Sequence, residues 1–236
     1  MKKVAIMQPY FFPYVGYFQL INSVDQFVIY DNIQYEKKGW INRNRILSNG
    51  QDRIITLPLK KASDYFNVMD RRLSDNWPDK RRKMINLIKS CYAKAPYFKE
   101  GFSIMEESLS YEDTNLFNFL FNSLKKVNEY LNIQTQIIVS SSLDIDHTLK
   151  SQDKVISICK SLNAETYINA IGGVKLYKKE DFNKNNIKLN FIQSELTAYK
   201  QFKNNFLPWL SIVDVIMFNS RQEIRDKHLS NYNLIY

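Results

Sequence analysis

Glycine, cysteine and histidine are all scarce in this chain of 236 residues, and each scarcity limits the kinds of protein and of functional site that the chain can form. Both cysteines, Cys91 and Cys159, fall on apolar helical faces, so we expect buried thiols in a reducing compartment rather than a disulfide scaffold. Of the two histidines, His147 follows two aspartates but has no further His or Cys cluster nearby, and His228 lies in a polar segment expected at the surface. The sequence therefore predicts no metal centre.

Long apolar runs are also absent from the sequence. No run approaches the roughly 18 residues that suggest a membrane-spanning helix, and Pro9 and Pro13 interrupt the apolar start of the chain. We therefore expect no membrane span, no signal peptide and a cytoplasmic location. The net charge of +9 favours an anionic partner, such as a nucleotide, a nucleotide sugar, a nucleic acid or an acidic membrane surface. Because the basic residues are spread along the chain, a nucleic acid is the less favoured of these partners.

The N-terminal segment has the pattern of one βαβ unit. An apolar run at 4–7 is broken by Gln8-Pro9, a helical pattern begins at Gly16, and a second apolar run at 26–30 ends at Asp31. Such a unit places its first loop at the carboxyl end of a parallel sheet, where open α/β folds bind ligands. The alternative is a hydrophobic strand followed by a packed cluster of aromatic residues. The ligand-binding candidates of this loop are Gln8, Tyr10, Tyr14, Gly16 and Tyr17.

A second group of candidates follows Asp31. The Asn49-Gly50 pair between two β-patterns predicts a hairpin, and alternation places Arg43 and Arg45 on one face of its first strand. Two guanidinium groups on one face suit bidentate contacts to phosphate, although alternating charges on a hairpin are also typical of a solvated face. The binding candidates of this segment are Lys37, Lys38, Trp40, Arg43, Asn44 and Arg45.

Alternation of strands and helices returns after a helical middle region. We expect one α/β domain over 1–236, with a Rossmann-like parallel sheet, helices on both faces and a mainly helical insertion at about 77–132. Ser141 follows a predicted strand at 135–139, where a serine can bind phosphate or cap a helix. The pair Gly172-Gly173 follows another strand, where its backbone N–H groups suit an anion or form an ordinary tight turn. The binding candidates here are Ser141, Asn169, Gly172, Gly173 and Tyr177.

Several segments of the sequence resemble the WbqC-like proteins: 8–18, 29–35, 39–45, 167–177 and 210–219. The resemblance covers essentially the whole chain. It implies a cytoplasmic enzyme of bacterial O-antigen or other surface-polysaccharide biosynthesis. The substrate would be a nucleotide-linked amino sugar, which receives an acyl or aminoacyl group such as glycyl. The resemblance supplies no catalytic residue.

The segment Tyr14-Val15-Gly16-Tyr17 also resembles the H-x-G-H motif of nucleotidylyltransferases, with tyrosines at both histidine positions. A phenol donates a hydrogen bond but carries no positive charge near neutral pH. The likeness therefore favours a nucleotide-binding loop over adenylyl transfer, and a glycine needed only for helix packing is an equal alternative.

The leading hypothesis is thus a transferase that acts on a nucleotide-linked sugar, and the alternative is a non-catalytic protein that binds nucleic acid or polysaccharide. Transfer to an amine needs a base or an orienting carboxylate, because an ammonium group has no lone pair. Asp31 is the first catalytic candidate, and Asp214, in a predicted C-terminal helix, is the second. ATP and an activated acyl donor are both open as co-substrates, and the sequence indicates no oligomeric state.

Overall fold

A six-stranded sheet in the order β5-β2-β1-β6-β7-β8 forms the centre of the computed structural model, which describes residues 1–235. Neighbouring strands are parallel except for β8, which pairs antiparallel with β7. Counted along the chain, the five parallel strands have the Rossmann order 3-2-1-4-5. The expected Rossmann-like parallel sheet is confirmed. The strands are β1 (Lys3–Met7), β2 (Gln26–Ile29), β3 (Arg43–Ser48), β4 (Gln51–Thr56), β5 (Gln136–Val139), β6 (Thr166–Ala170), β7 (Lys188–Ser194) and β8 (Tyr232–Ile235).

Helices cover both faces of this sheet. They are α1 (Val15–Asn22), α2 (Trp77–Tyr92), α3 (Phe98–Leu109), α4 (Leu116–Leu131), α5 (Ser151–Ser161), α6 (Lys179–Asn183) and α7 (Ile212–Phe218). Strand alternation divides the buried residues between the faces. Val4 and Ile6 pack with residues of α5 and α6, whereas Ala5 and Phe27 pack with α1, α7 and the helices of the middle region. Helix α1 is buried along nearly its whole length because it lies inside this larger core.

The middle region starts with a hairpin and continues as three helices. Strands β3 and β4 pair antiparallel around Asn49-Gly50, and both turn residues have positive φ, 51° and 78°, as a tight hairpin turn requires. Helices α2, α3 and α4 then fill the range predicted to be helical. Asn115 caps α4 by accepting a hydrogen bond from the Asn118 N–H, and α4 ends at Asn132, whose φ of 55° is left-handed. The hairpin and these helices therefore add a layer over one face of the sheet.

The direction in which successive strands are added to the sheet reverses between β1 and β6, which are adjacent parallel strands. From β1 the chain continues to β2 on one side, and from β6 it continues to β7 on the other. Loops that follow such strands diverge and leave a crevice at the carboxyl edge, where open α/β folds bind ligands. The fold thus places the loops after β1, β2, β5 and β6 at one edge. Within residues 1–235, no helix has the length and apolar character that crossing a membrane requires.

Candidate functional site

Asp31 lies just beyond the carboxyl end of β2, and only 3% of it is exposed. Its Oδ1 atom accepts a hydrogen bond of 3.0 Å from the backbone N–H of Ser141, which follows the neighbouring strand β5. The other carboxylate oxygen, Oδ2, has no hydrogen-bond partner among residues 1–235. Two predicted site residues are therefore in direct contact, and the contact fixes the Asp31 carboxylate while leaving one oxygen without a protein partner.

Lys154 is a buried cation at the same edge, and the sequence analysis missed it. It belongs to the first turn of α5, which follows β5, and 8% of it is exposed. Its Nζ atom donates to Asn32 Oδ1 at 3.3 Å and lies 5.4 Å from the centre of the Tyr30 ring. Burial lowers the pKa of Lys154, and the nearby Asp31 carboxylate opposes that shift. A lysine whose pKa is perturbed, lying near a carboxylate at the carboxyl edge of a parallel sheet, is typical of functional sites.

Asn32 connects the residues around Lys154. Its Oδ1 atom also accepts a hydrogen bond of 2.9 Å from Ser140 Oγ, and its amide nitrogen lies 3.0 Å from His147 Nδ1. These bonds orient Asn32 so that its oxygen faces Lys154. We call this group of residues the carboxyl-edge cluster. It consists of Asp31, Asn32, Ser140, Ser141 and Lys154, together with the ring of Tyr30.

Tyr177 lies near this cluster, because its hydroxyl is close to Tyr30. Burial raises the pKa of Tyr30, and the adjacent Tyr177 hydroxyl adds to the rise. The Tyr177 ring packs edge-on against Tyr167, with ring centres 5.7 Å apart. Its hydroxyl lies 3.4 Å from the Tyr167 hydroxyl. The predicted residue Tyr177 is thus half-buried on the face of the sheet that packs against α5 and α6.

A separate aromatic cavity of about 170 Å³ lies beside the loop after β1. Its two tryptophans, Trp40 and Trp209, are 41% and 48% exposed, and the Tyr14 and Trp209 rings meet edge to face at 5.6 Å. The first loop and the segment from Trp40 to Arg45 therefore share a cavity, and Asp31 is not part of its wall. Trp209 is a lining residue that the sequence analysis missed. The cavity is lined by Tyr10, Pro13, Tyr14, Trp40, Asn44, Arg45 and Trp209.

Arg43 and Arg45 both lie beside the Trp40 ring, which agrees with the strand alternation that places the two arginines on one face. Each guanidinium carbon lies 5.7 Å from the centre of the Trp40 ring. Arg43 donates to two backbone carbonyls of the preceding loop. Arg45 pairs with Asp52 at 3.3 Å and donates to the Trp209 carbonyl at 3.2 Å. Protein groups thus use several of the donors expected to bind phosphate, and the phosphate role of the two arginines stays a prediction.

Two of the predicted binding residues hold the backbone of the first loop through hydrogen bonds to its carbonyl groups. Asn44 is buried, and its amide nitrogen donates to the carbonyls of Phe11 and Phe12 at 3.0 and 2.8 Å. Phe12 has a φ of 40°, a strained value for a bulky residue, so these bonds help to hold an unfavourable backbone. Tyr17 is buried as well and donates to the Gln8 carbonyl at 2.8 Å. Both side chains therefore serve the loop's conformation.

The glycines of the predicted anion sites have different surroundings. A Cβ atom at Gly16 would lie 2.3 Å from the Tyr14 ring, so glycine is needed there for packing of that ring. A Cβ at Gly173 would lie 2.1 Å from the Asn169 amide nitrogen, whereas one at Gly172 would meet nothing within 4 Å. Asn169 is buried at the carboxyl end of β6. Gly16 and Gly173 thus make room for protein side chains, and Gly172 is open to solvent.

Asp214 is fully buried in α7 and is held by three side chains. Its Oδ1 atom accepts from the Tyr92 hydroxyl at 2.8 Å. Its Oδ2 atom accepts from the Tyr199 hydroxyl at 2.7 Å and from Gln201 Nε2 at 2.6 Å. Burial raises the pKa of Asp214, and the three hydrogen bonds oppose the rise. This geometry favours a structural role over the predicted role as a second base, since both carboxylate oxygens accept hydrogen bonds from protein side chains and the residue is fully buried.

Two of the predicted binding residues lie at the surface, whereas one histidine that was expected at the surface is buried. Lys37 and Lys38 are exposed, and Lys37 pairs with Asp64 at 2.6 Å. The expected surface position of His228 is wrong, because His228 is 3% exposed and lies 3.3 Å from Asn219 Oδ1. Burial lowers its pKa. Within residues 1–235, no three His, Cys, Asp or Glu side chains are grouped so as to hold a metal ion.

The chain matches the WbqC-like protein family over residues 8–226 and belongs to that family. A relative in Mycobacterium tuberculosis, the uncharacterized protein Rv1507c, is 29% identical over 228 residues. That alignment covers 96% of this chain and 97% of the relative. No solved structure matches the chain.

Proposed function

We propose that the protein is a transferase of surface-polysaccharide biosynthesis, such as O-antigen assembly, that acts on a nucleotide-linked amino sugar. It would transfer an acyl or aminoacyl group, such as glycyl, to the sugar amine. The observation that supports this most is the carboxyl-edge cluster, where a fixed carboxylate and a buried ammonium lie together. The pathway is the one that the resemblance to the WbqC-like proteins implies. Within residues 1–235 no helix is long and apolar enough to cross a membrane.

Asp31 is the proposed base for the acceptor amine. Its Oδ1 atom is anchored by the Ser141 N–H at 3.0 Å, so Oδ2 is the oxygen that would receive a proton. The amine nitrogen then forms a bond to the acyl carbon, the bond from that carbon to the leaving group breaks, and the proton of the nitrogen passes to Asp31. A positioned base of this kind contributes roughly 10²- to 10⁴-fold to a rate.

Lys154 is the proposed partner for the negative charge that develops on the acyl oxygen. Asn32 holds its Nζ atom at 3.3 Å, and a buried cation stabilises such a charge more than an exposed one because water does not screen it. Lys154 and Asp31 come from different elements, α5 and the end of β2, and the parallel sheet brings those ends together. The cluster therefore offers a proton acceptor and a charge partner within one small region.

The aromatic cavity is the proposed site for a ring of the substrate. Its walls are aromatic apart from Pro13, Asn44 and Arg45, and apolar walls with a few polar groups are typical of small-molecule sites. Stacking on aromatic side chains contributes about 1–3 kcal/mol for a nucleobase. The nucleobase or the sugar would thus lie between Trp40 and Trp209. ATP and an activated acyl donor both remain candidate co-substrates.

The proposal is tested by separating binding from turnover. Wild type, Asp31→Asn and the exposed control Asp144→Asn are incubated with uridine- and thymidine-linked amino sugars, together with glycine and ATP or a glycyl thioester. Calorimetry measures binding, and mass spectrometry measures the acylated sugar nucleotide. We expect Asp31→Asn to bind normally and to lose about 10²-fold or more in turnover, and the control to behave as wild type. Full turnover by Asp31→Asn would reject the assigned base.

The net charge of +9 keeps a non-catalytic anion-binding role as the second candidate. A thermal-shift screen with the same nucleotide sugars and single-stranded DNA distinguishes the two. Stabilisation by one sugar nucleotide alone supports the transferase. Stabilisation by DNA that disappears with added salt supports the binding protein, because phosphate-backbone binding depends steeply on salt.

A further inference from the structure

Arg71 is a buried cation outside both the carboxyl-edge cluster and the aromatic cavity. Only 3% of it is exposed. Its guanidinium carbon lies 4.5 Å from the centre of the Tyr35 ring, and its Nη2 atom donates to the Ser63 carbonyl at 2.8 Å. Stacking and this hydrogen bond hold the planar group in one orientation, so its geometry is set before any ligand arrives.

Arg71 has no acidic partner in the described part of the chain. None of the ion pairs among residues 1–235 includes it. Among residues 1–235 its Nε atom is buried without a hydrogen-bond partner, and its side chain makes one hydrogen bond there, the one to Ser63. A buried charge is costly unless it is paired. An anion that binds beside Arg71 would supply the missing charge.

The groove next to Arg71 is strongly basic. It measures about 610 Å³, and three lysines, Lys37, Lys60 and Lys61, line it together with Arg71. Asp64 is the one acidic residue of the lining, and it pairs with Lys37 at 2.6 Å. Lys60 pairs with an aspartate outside the lining, whereas Lys61 is exposed and has no ion pair in residues 1–235. The lining thus has four cations and one carboxylate.

Two neutral polar side chains of the groove, Tyr35 and Asn42, already bond to protein groups. The Tyr35 hydroxyl donates to Asn42 Oδ1 at 2.9 Å, and the Asn42 amide nitrogen donates to the Leu57 carbonyl at 2.8 Å. Donors available to a ligand are therefore mainly cationic. A planar guanidinium fork with lysines around it matches the oxygens and the charge of a phosphate group.

We propose that this groove is a phosphate-binding subsite for a phosphorylated small molecule, with Arg71 at its wall and Lys61 at its rim. The proposal does not depend on the reaction assigned to Asp31. Free phosphate compounds and the diphosphate of a nucleotide share this chemistry, so both are probes in the test.

Calorimetry with pyrophosphate and with uridine diphosphate tests the subsite. The decisive variant is Lys61→Glu, because Lys61 is exposed and its replacement leaves the packing intact. The matched control is Lys94→Glu, an exposed lysine just beyond the C-terminal end of α2, which changes the net charge by the same amount. We expect Lys61→Glu to weaken pyrophosphate binding about tenfold, as for one charge-assisted contact, and Lys94→Glu to change it by less than about twofold.

Arg71→Lys is the second variant, and its thermal unfolding is measured because Arg71 also contacts Tyr35 and Ser63. We expect weaker pyrophosphate binding, since an ammonium keeps the charge and loses the planar fork. Equal affinities for pyrophosphate and uridine diphosphate mean that the groove recognises phosphate alone. A higher affinity for uridine diphosphate means that the groove also binds the nucleoside. Both results support the subsite.

Two results would overturn the phosphate subsite. One is no pyrophosphate binding by the wild type, and the other is equal weakening by Lys61→Glu and Lys94→Glu. Asp31→Asn should leave pyrophosphate affinity unchanged, so failure of the transferase proposal and failure of this one are seen in separate measurements.

Discussion

Replacing Asp214 by alanine should destabilise the fold rather than remove a catalytic group. The carboxylate accepts hydrogen bonds from Tyr92, Tyr199 and Gln201, and it thereby ties α7 to the end of α2 and to the segment that precedes α7. In the alanine variant both phenol hydroxyls lose their acceptor inside the core. Gln201 keeps one partner, because its Nε2 atom also donates to the Leu207 carbonyl at 3.2 Å.

The size of the effect follows from the two orphaned hydroxyls. A buried donor without a partner costs about 1–3 kcal/mol, so two such donors give about 2–6 kcal/mol. For a chain of this length, about 3 kcal/mol corresponds to a fall in Tm of about 6–12 °C. Asp214→Asn keeps one oxygen acceptor in the same volume, so it should lose about half as much.

Urea and thermal unfolding of Asp214→Ala, Asp214→Asn and Asp226→Ala measure this prediction. Asp226 is an exposed aspartate whose carboxylate accepts from Gln222, and its loss should cost less than about 0.5 kcal/mol. The structural interpretation fails if Asp214→Ala is as stable as the Asp226→Ala control and yet loses turnover. That result would return Asp214 to the role of a base.

Two further perturbations test buried polar groups. Burial lowers the pKa of His228 from 6.5, so as pH falls below about 6.5 the unfolded chain binds a proton that the native state does not, and stability should fall until the folded-state pKa is reached. His228→Gln should flatten that part of the pH–stability curve in urea titrations, and an unchanged slope would contradict the assignment. Asn44→Ala removes both bonds to the carbonyls of Phe11 and Phe12 and should lower the free energy of unfolding by about 1–3 kcal/mol. Denaturation by urea measures this loss, and a variant as stable as wild type would refute it.

Most of the fold was predictable because its signals are local. The βαβ unit shows apolar runs separated by a helical pattern, and the hairpin shows Asn49-Gly50, which occupies the two positive-φ positions of the turn. Strand β8 was not predicted. It is only four residues long, Tyr232–Ile235, and its pairing with β7 depends on a contact that no short-range pattern records.

The candidate site was predictable only in part, because burial of charge is a tertiary property. Lys154 stands four residues before the buried Ile158 in α5, and a lysine at that spacing on an apolar stripe is the signal that could have indicated it. Trp209 and Arg71 carry no such signal, since their neighbours in space are distant in the chain. His228 was misplaced for the same reason: its sequence neighbours are polar, but Tyr199 packs against its ring at 5.5 Å.

The position of the positive charge distinguishes this site from the nucleotidylyltransferase-like pattern that its first loop resembles. A phenol has no positively charged form near neutral pH, and burial raises the pKa of both Tyr14 and Tyr17, so both hydroxyls stay neutral. Tyr17 instead donates to the Gln8 carbonyl, and Tyr14 forms part of the aromatic cavity. Cations come from other elements: Lys154 from α5, Arg45 from β3 and Arg71 from the segment before α2. If the proposed sites bind an anionic ligand, these elements would supply the positive charge, and the loop after β1 would contribute shape and aromatic surface.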